Sequence, residues 1–364
     1  MAKIGIYSDV HISHSSSIMP TFLGKYDDKY TTRLKMCIDS MKWAYKQFKN
    51  NNVDIIINCG DTFNSHTVSS DELSAMTDII EEVNIPLTFP NYTLIGNHDK
   101  FNNTFNSLYW MQLLEDTTLV NDYVHLIYDD TDIYCISFYD ATEFIDKIQE
   151  MLNTYPRKCS KAVLFMHGDI NGSWLSGTKR IENHIPTDFL TQYFDIVING
   201  HIHCHERIYN QNDKEIFNIG SLTSHSFADS NNHIPACWIL DTNTRKLTCI
   251  ENPHAIVFRT EIVEDEFDIN NLVHSLPVVN NVILKVKCPY DLKDNVEKSL
   301  EPLTNVIKTK YIFTYNNEIK NDSNGENKVT NQTSQLDVKD EFITFLSGRS
   351  DLKGDIDSYI NVLN

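Results

Sequence analysis

Five short motifs of metal-ligating residues, in a fixed order along the chain, constrain this sequence more than any other feature. They are Asp9-Val10-His11, Gly60-Asp61, Gly96-Asn97-His98-Asp99, His167-Gly168 and Gly200-His201-Ile202-His203. Most follow an apolar run of β-forming residues: 4–7, 53–57, 94–95, 163–166 and 196–198. Read as strands, these runs deliver every motif to the same edge of a sheet. Carboxylate, amide and imidazole donors converging there suit a two-metal hydrolytic centre, with ions roughly 3.5–4 Å apart, of the kind used for in-line attack at phosphorus.

Between the motifs the pattern alternates strands and helices. Apolar spacing predicts helices over 31–51, over 70–83 with Ser70 as N-cap, around 105–114, over 141–152 and from Pro186 onward. Strands are expected near Leu87 and Leu94, at 133–138 and at 162–166, and short strands with turns fill 195–263. The expected fold class is α/β (α+β): two sheets packed as a β-sandwich with helices outside. That domain covers 1–264. A small α/β capping domain at 265–315 reads as strand 282–286, helix 292–300 and strand 306–313. Residues 316–335 are polar, rich in Asn, Ser and Gly, and read as a flexible linker. The tail, 336–364, carries apolar positions that fit two short amphipathic helices, packed on the body or docked on a partner.

At 364 residues the chain allows roughly two to three domains. It has no apolar run near the roughly 20 residues needed to span a bilayer, and its first residues do not resemble a signal peptide. The eight cysteines form no C-x-x-C pair and read as reduced thiols of a cytoplasmic protein. The net charge of −19 argues at first against nucleic acid, but the distribution is uneven. Seven basic residues fall between Lys25 and Lys49, and Lys42, Lys46 and Lys49 share one helical face. They form either a solvated helix face or a patch that tracks a phosphate backbone.

The ligand chemistry follows from the motifs. Asp9 and His11 alternate, as do His201 and His203, so on extended backbone each pair faces one way. Asp61 can bridge two cations, Asn97 adds a neutral carbonyl oxygen, and His167 adds a nitrogen. Mixed O/N ligation without thiolate points to manganese, iron or another octahedral first-row ion.

In that order the motifs resemble the calcineurin-like metallophosphoesterases, whose pattern is D-x-H, GD, GNH(D/E), H and GHxH. Residues 1–260 carry the resemblance. Within the superfamily the chain looks most like the SbcD-type DNA nuclease subunits, including those of bacteriophage recombination endonucleases. That likeness rests on Gly60-Asp61-Thr62-Phe63, on 185–190, on Asn218-Ile219-Gly220-Ser221, and on the small cap and tail. It implies the metallophosphoesterase fold and a nuclease acting on DNA in recombination, repair or replication. It further implies two divalent ions, with Mn²⁺ activating, an SbcC-like coiled-coil ATPase partner, a homodimer, and a cytoplasmic location (the host's, for a viral chain). It places Asp9, His11, Asp61 and His203 on one ion and Asp61, Asn97, His167 and His201 on the other. His98 would protonate the leaving oxygen, with Asp99 orienting its ring. Asn64 departs from the pattern, standing where such nucleases often carry a second histidine, and His66 is two positions on. A phosphatase or cyclic-nucleotide phosphodiesterase of the same fold is the alternative, and a catalytically silent scaffold a third reading. Of the remaining histidines, His225 is a candidate to approach substrate, while His14, His66, His125, His184, His205, His233, His254 and His274 read as surface or packing residues.

Overall fold

The computed structural model describes residues 2–14, 16, 18–19, 29–83, 89–102, 105–176, 179–228 and 234–313. The described residues fall within one compact unit, Met1–Tyr315. The linker at 316–335, the tail at 336–364, the strand expected near Leu87 and His233 lie outside the described residues.

The chain runs β1 (Lys3–Tyr7), α1 (Thr32–Asn50), β2 (Ile55–Asn58), α2 (Ser70–Val83), β3 (Asn91–Leu94), β4 (Thr117–Val120), β5 (Tyr123–Tyr128) and β6 (Thr131–Ile136). It continues α3 (Ala141–Thr154), β7 (Lys161–Met166), β8 (Trp174–Ser176), β9 (Lys179–Arg180), α4 (Thr187–Tyr193), β10 (Ile196–Asn199), β11 (Glu206–Gln211) and β12 (Lys214–Asn218). The last elements are β13 (Ala236–Asp241), β14 (Lys246–Glu251), β15 (Val257–Ile262), α5 (Glu266–Ser275), β16 (Val282–Cys288), α6 (Lys293–Leu300) and β17 (Val306–Phe313).

Two six-stranded sheets, ordered β14-β13-β1-β2-β3-β4 and β11-β12-β10-β7-β6-β5, form the sandwich. Strands β1 to β4 are mutually parallel, as are β6, β7, β10 and β12. Between the sheets, Ile4, Ile6, Ile55 and Ile57 meet Val163, Phe165, Ile196 and Ile198. The outer faces are covered too: Tyr7 and Ile56 pack with Leu34, Met41 and Phe48 of α1, and Leu164, Met166 and Val197 with Phe144, Ile148 and Met151 of α3. Burial on both faces is why these strands read as continuous apolar runs and not as alternation.

Helices α1, α2 and α5 start on side-chain caps. The Thr31 hydroxyl accepts the Leu34 N–H. At α2 the cap is Ser69, one residue before the expected Ser70. Its hydroxyl accepts the Glu72 N–H while the Glu72 carboxylate accepts the Ser69 N–H, a reciprocal capping box. The helix expected at 105–114 is only a 3₁₀ turn at Tyr109–Leu113. Leu108 and Met111 of this segment join the core, while Phe105, Tyr109 and Leu113 are 66%, 64% and 86% exposed, so one 3₁₀ turn is enough to bury the residues that face inward.

The third sheet is parallel, β15-β16-β17, and starts at Val257, before the expected boundary at 265. One of its faces packs Leu284 and Val286 under α5 and α6 with Ile269, Leu272 and Val296. The opposite face carries Ile283, Lys285 and Lys287 of β16 beside Lys308, Lys310 and Ile312 of β17, since Lys285 pairs in register with Lys310. Where this face meets the body, Ile283 and Phe258 pack on Met36, with Phe227 against them.

Candidate metal centre

The five motifs sit at strand ends and are laced to one another. Beyond β1 and β2, the Asp9 N–H donates to the Gly60 carbonyl and the His11 N–H to the Asp61 carbonyl, each at 3.0 Å. Between the sheets, the His201 N–H donates to Asp9 Oδ2 at 3.0 Å. Gly96 leaves space for this packing: a Cβ there would lie 2.0 Å from Asp61 Oδ1. Four expected ligands take left-handed backbone, with φ of +52° at Asp9, +47° at His11, +51° at Asp61 and +71° at His201. L-residues rarely adopt this region, at a cost of order 1–3 kcal/mol each, and such strain concentrates at functional sites.

All seven expected ligands come together. His11 Nε2 lies 3.0 Å from His203 Nε2, 3.7 Å from Asp9 Oδ1 and 3.6 Å from Asp61 Oδ2. On the other side of Asp61, His167 Nε2 lies 3.4 Å from Asp61 Oδ2 and 3.0 Å from Asn97 Oδ1, which is 2.9 Å from His201 Nδ1. The hydrogen-bond chemistry tests whether cations fit. His167 Nδ1 donates to the Cys59 carbonyl at 2.7 Å, and His201 Nε2 donates to Asp169 Oδ1 at 3.1 Å. In the neutral rings, the other nitrogen of each is a lone pair aimed at an amide oxygen. Lone pairs facing oxygens at hydrogen-bond range, with buried Asp9 Oδ1 lacking any hydrogen-bond partner, call for positive charge between them. Divalent ions meet that demand, with the second ring nitrogens held by a carbonyl and a carboxylate.

The carboxylates are held ionised by the same arrangement. Burial alone would raise Asp61, but the His167, His11 and His98 rings hold it far below the carboxylate range. Burial would likewise raise Asp9, which His11 and its neighbours hold down. Burial would lower His167, yet the Asp61 and Asp9 charges push it up to about 9. A protein with no ion here would take up a proton instead.

His98 stands exposed at the rim, its N–H donating to Asp61 Oδ1 at 2.9 Å and its ring 4.7 Å from that of His11. Its ring partner differs from the expected one. His98 Nδ1 donates to the Asn64 carbonyl at 3.0 Å, leaving Nε2 for substrate. Asp99 is fully buried and accepts the N–H groups of Phe63, Gly96 and Thr62 at 2.9, 3.1 and 3.2 Å. Burial, then the Asp61 charge, push it up to about 7 against those bonds. It fastens two motif loops together and does not orient the His98 ring.

Three residues at the site carry no signal in the five motifs. Asp169, directly after His167-Gly168, holds His201 and lies 3.5 Å from His184 Nε2. His225, four residues past Ser221, has its ring 4.3 Å from that of His11. Arg33 is buried and donates to the carbonyls of Val10, His11 and Ser224. His205, by contrast, packs on Trp238 and His66 on Phe101.

Divalent ions bound here would supply Lewis acidity for hydrolysis at phosphorus. Asp9, His11, Asp61 and His203 would hold one and Asp61, Asn97, His167 and His201 the other, and His98 Nε2 would be the proton donor to a leaving oxygen.

Residues 2–205 match the model of the calcineurin-like phosphoesterase family. Two viral proteins named as candidate phosphoesterases are similar: 244L of Invertebrate iridescent virus 6, 26% identical over 49% of this chain, and 078R of Invertebrate iridescent virus 3, 25% identical over 50%. The matched regions span 61% and 50% of those two relatives. Among solved structures, a dimetal phosphatase from Danio rerio aligns with a TM-score of 0.43 and 11% identity, covering 65% of this chain and 91% of its own. A novel archaeal phosphodiesterase aligns with a TM-score of 0.35 and 19% identity, covering 68% and 99%. With the motifs gathered where strand ends of the two large sheets meet and a family match over more than half its length, the chain belongs to the calcineurin-like phosphoesterases.

Proposed function

We propose that this chain is a Mn²⁺-dependent DNA nuclease subunit that hydrolyses phosphodiester bonds in recombination, repair or replication alongside an SbcC-like ATPase. The observation that carries the reading is the lysine-bearing face of the third sheet. Lys285, Lys287, Lys308 and Lys310 stand together there in a chain of net charge −19. Among the described residues no carboxylate forms an ion pair with any of the four. Lys285 Nζ lies 4.0 Å from the centre of the Phe227 ring, two residues beyond His225. A cationic face of this kind suits a polyanion that continues past its scissile bond, whereas a small phosphate ester would leave it unused. The Lys25–Lys49 cluster supports the reading less: Arg33 is buried, Lys29 pairs with Asp78, Lys35 with Asp39 and Lys42 with Glu82.

The test is Mn²⁺-dependent cleavage of a labelled single-stranded oligonucleotide beside hydrolysis of p-nitrophenyl phosphate. Cleavage of DNA with little monoesterase activity is expected. An intact oligonucleotide with rapid monoester hydrolysis would instead make the protein a phosphatase. The proposal extends to partners. Deleting 336–364 should leave oligonucleotide cleavage intact and remove capture of the ATPase in a pull-down. A homodimer would cover Phe105, Tyr109 and Leu113, and Leu113→Asp should turn it monomeric in sedimentation.

Among the described residues no helix is long and apolar enough to cross a membrane, and none of the eight cysteines is in a disulfide.

A further inference from the structure

The loop after β12 brings a third imidazole to the edge of the metal centre. It turns at Gly220, whose φ is +73°, and is then fastened to the motif loops at every step. The Ser221 N–H donates to the His203 carbonyl at 3.0 Å and the Leu222 N–H to the Ser8 carbonyl at 2.8 Å. The Thr223 hydroxyl donates to the Val10 carbonyl at 2.7 Å. Arg33 Nη1 donates to the Ser224 carbonyl at 2.7 Å while its Nη2 reaches the Val10 and His11 carbonyls. His225 is the next residue. Its ring centre lies 4.3 Å from that of His11 and 5.3 Å from that of His203. One ring nitrogen of each of the three lies within 4.8 Å of the others.

Two donors each about 2.1 Å from one ion are at most about 4.2 Å apart. His11 Nε2 and His203 Nε2, at 3.0 Å, already span such an edge, and a shift of at most about 0.6 Å brings His225 inside the limit. Arg33 Nη2 lies 3.0 and 3.1 Å from the two His225 nitrogens and borders the ring.

The geometry points to His225 as a third imidazole ligand of the ion held by Asp9, His11, Asp61 and His203. This rests on the two-metal reading of the site and adds an asymmetry to it. One ion meets three nitrogens, the other meets two (His167 and His201) with the Asn97 oxygen. The nitrogen-richer site prefers cobalt or zinc over manganese by a wider margin than its neighbour does, because imidazole suits the later ions and oxygen the earlier ones.

The experiment titrates the metal-free full chain with Mn²⁺ and with Co²⁺ by calorimetry, for the wild type, His225→Ala and His225→Asn. Outer-shell partners alone change metal affinity about 10–100-fold, so losing a ligand should weaken one of the two Co²⁺ sites at least about 10-fold. The other site should stay within about twofold. X-ray absorption on the wild type with one equivalent of Zn²⁺ needs no variant to fold and should count three imidazoles. Two unchanged affinities in His225→Ala, or two imidazoles in the spectrum, overturn the assignment. A rise in KM for a phosphodiester with both affinities intact overturns it too, and makes His225 a substrate contact. A wild-type chain that binds no divalent ion sinks the two-metal reading itself, an outcome distinct from two normal sites that ignore His225.

Discussion

At the strand ends of the two large sheets, Asp9, His11, Asp61 and His167 are each 2% exposed or less, yet on the third sheet Lys308 and Lys310 stand in the open. Both regions gather like groups, and the physics differs. In the cleft, charges are desolvated and each is tolerable only because its neighbours fix it, so strained backbone and laced loops are part of the design. On the third sheet Lys308 and Lys310 face solvent, where charge is screened, and strand alternation aligns them with Lys285 and Lys287. The cleft should therefore fail as a unit, and the lysine face should fail in small, additive steps.

The hardest test of the unit is Asp61→Ala. This carboxylate touches both halves of the centre, so its loss should abolish turnover and empty both ion sites in a metal titration. One retained site of normal affinity would show that the halves are independent. Smaller is His98→Ala, which removes a proton donor from the rim and should lower kcat about 10²–10⁴-fold with both ions still bound. Loss of an ion in that variant would make His98 part of the cleft's cooperative set.

The two regions were unequally legible in the sequence. The ligands lie within one to four residues of a strand end, so a short motif after an apolar run gives both residue type and place. The Asp99 pairing was not legible, because two of its three partners are the Thr62 and Phe63 N–H groups, which arrive only when the motif loops close. The lysine face was hidden for a similar reason. Lys285 and Lys287 are separated from Lys308 and Lys310 by about 20 residues and meet only through the β16–β17 register. The sequence instead drew attention to Lys25–Lys49, a cluster along one segment whose members the fold largely pairs with acids or buries. Strands β4 and β5 escaped notice: β4 is only four residues long and opens on two threonines, and β5, although apolar in sequence, has no fully buried residue.

If the open face acts additively, Lys287→Glu and Lys310→Glu should each weaken DNA binding and reduce the magnitude of the log–log salt slope by about 1, the pair by about 2. Hydrolysis of bis-p-nitrophenyl phosphate, too small to reach this face, should be unchanged. A fall in that small-substrate rate would tie the lysines to the cleft, and an unaltered salt slope would remove them from the DNA path.

The smallest effect concerns a buried carboxylate remote from both regions, which separates a defect of fold from a defect of site. Asp132 sits at the start of β6, at the far end of that strand from the metal edge. It accepts the Cys159 N–H at 2.6 Å, His125 Nε2–H at 2.7 Å and the Lys158 N–H at 2.8 Å. Burial alone would raise its pKa, but these donors hold it below the usual carboxylate range. A folded pKa below the unfolded one, near 3.9, stabilises the protein fully above that pH, and the contribution is lost as pH falls through the folded value. Asp132→Asn should cost about 1–3 kcal/mol in urea unfolding at pH 7, with a shallower loss of stability below pH 4 than the wild type shows. Its Mn²⁺-dependent turnover at 25 °C should be unchanged, because the ligand-bearing ends of β7 and β10 do not depend on this corner. An acid limb as steep as the wild type's would mean that the three donors stabilise the neutral acid as well as the anion. A turnover defect alongside normal urea unfolding would mean that the far end of the second sheet does reach the cleft.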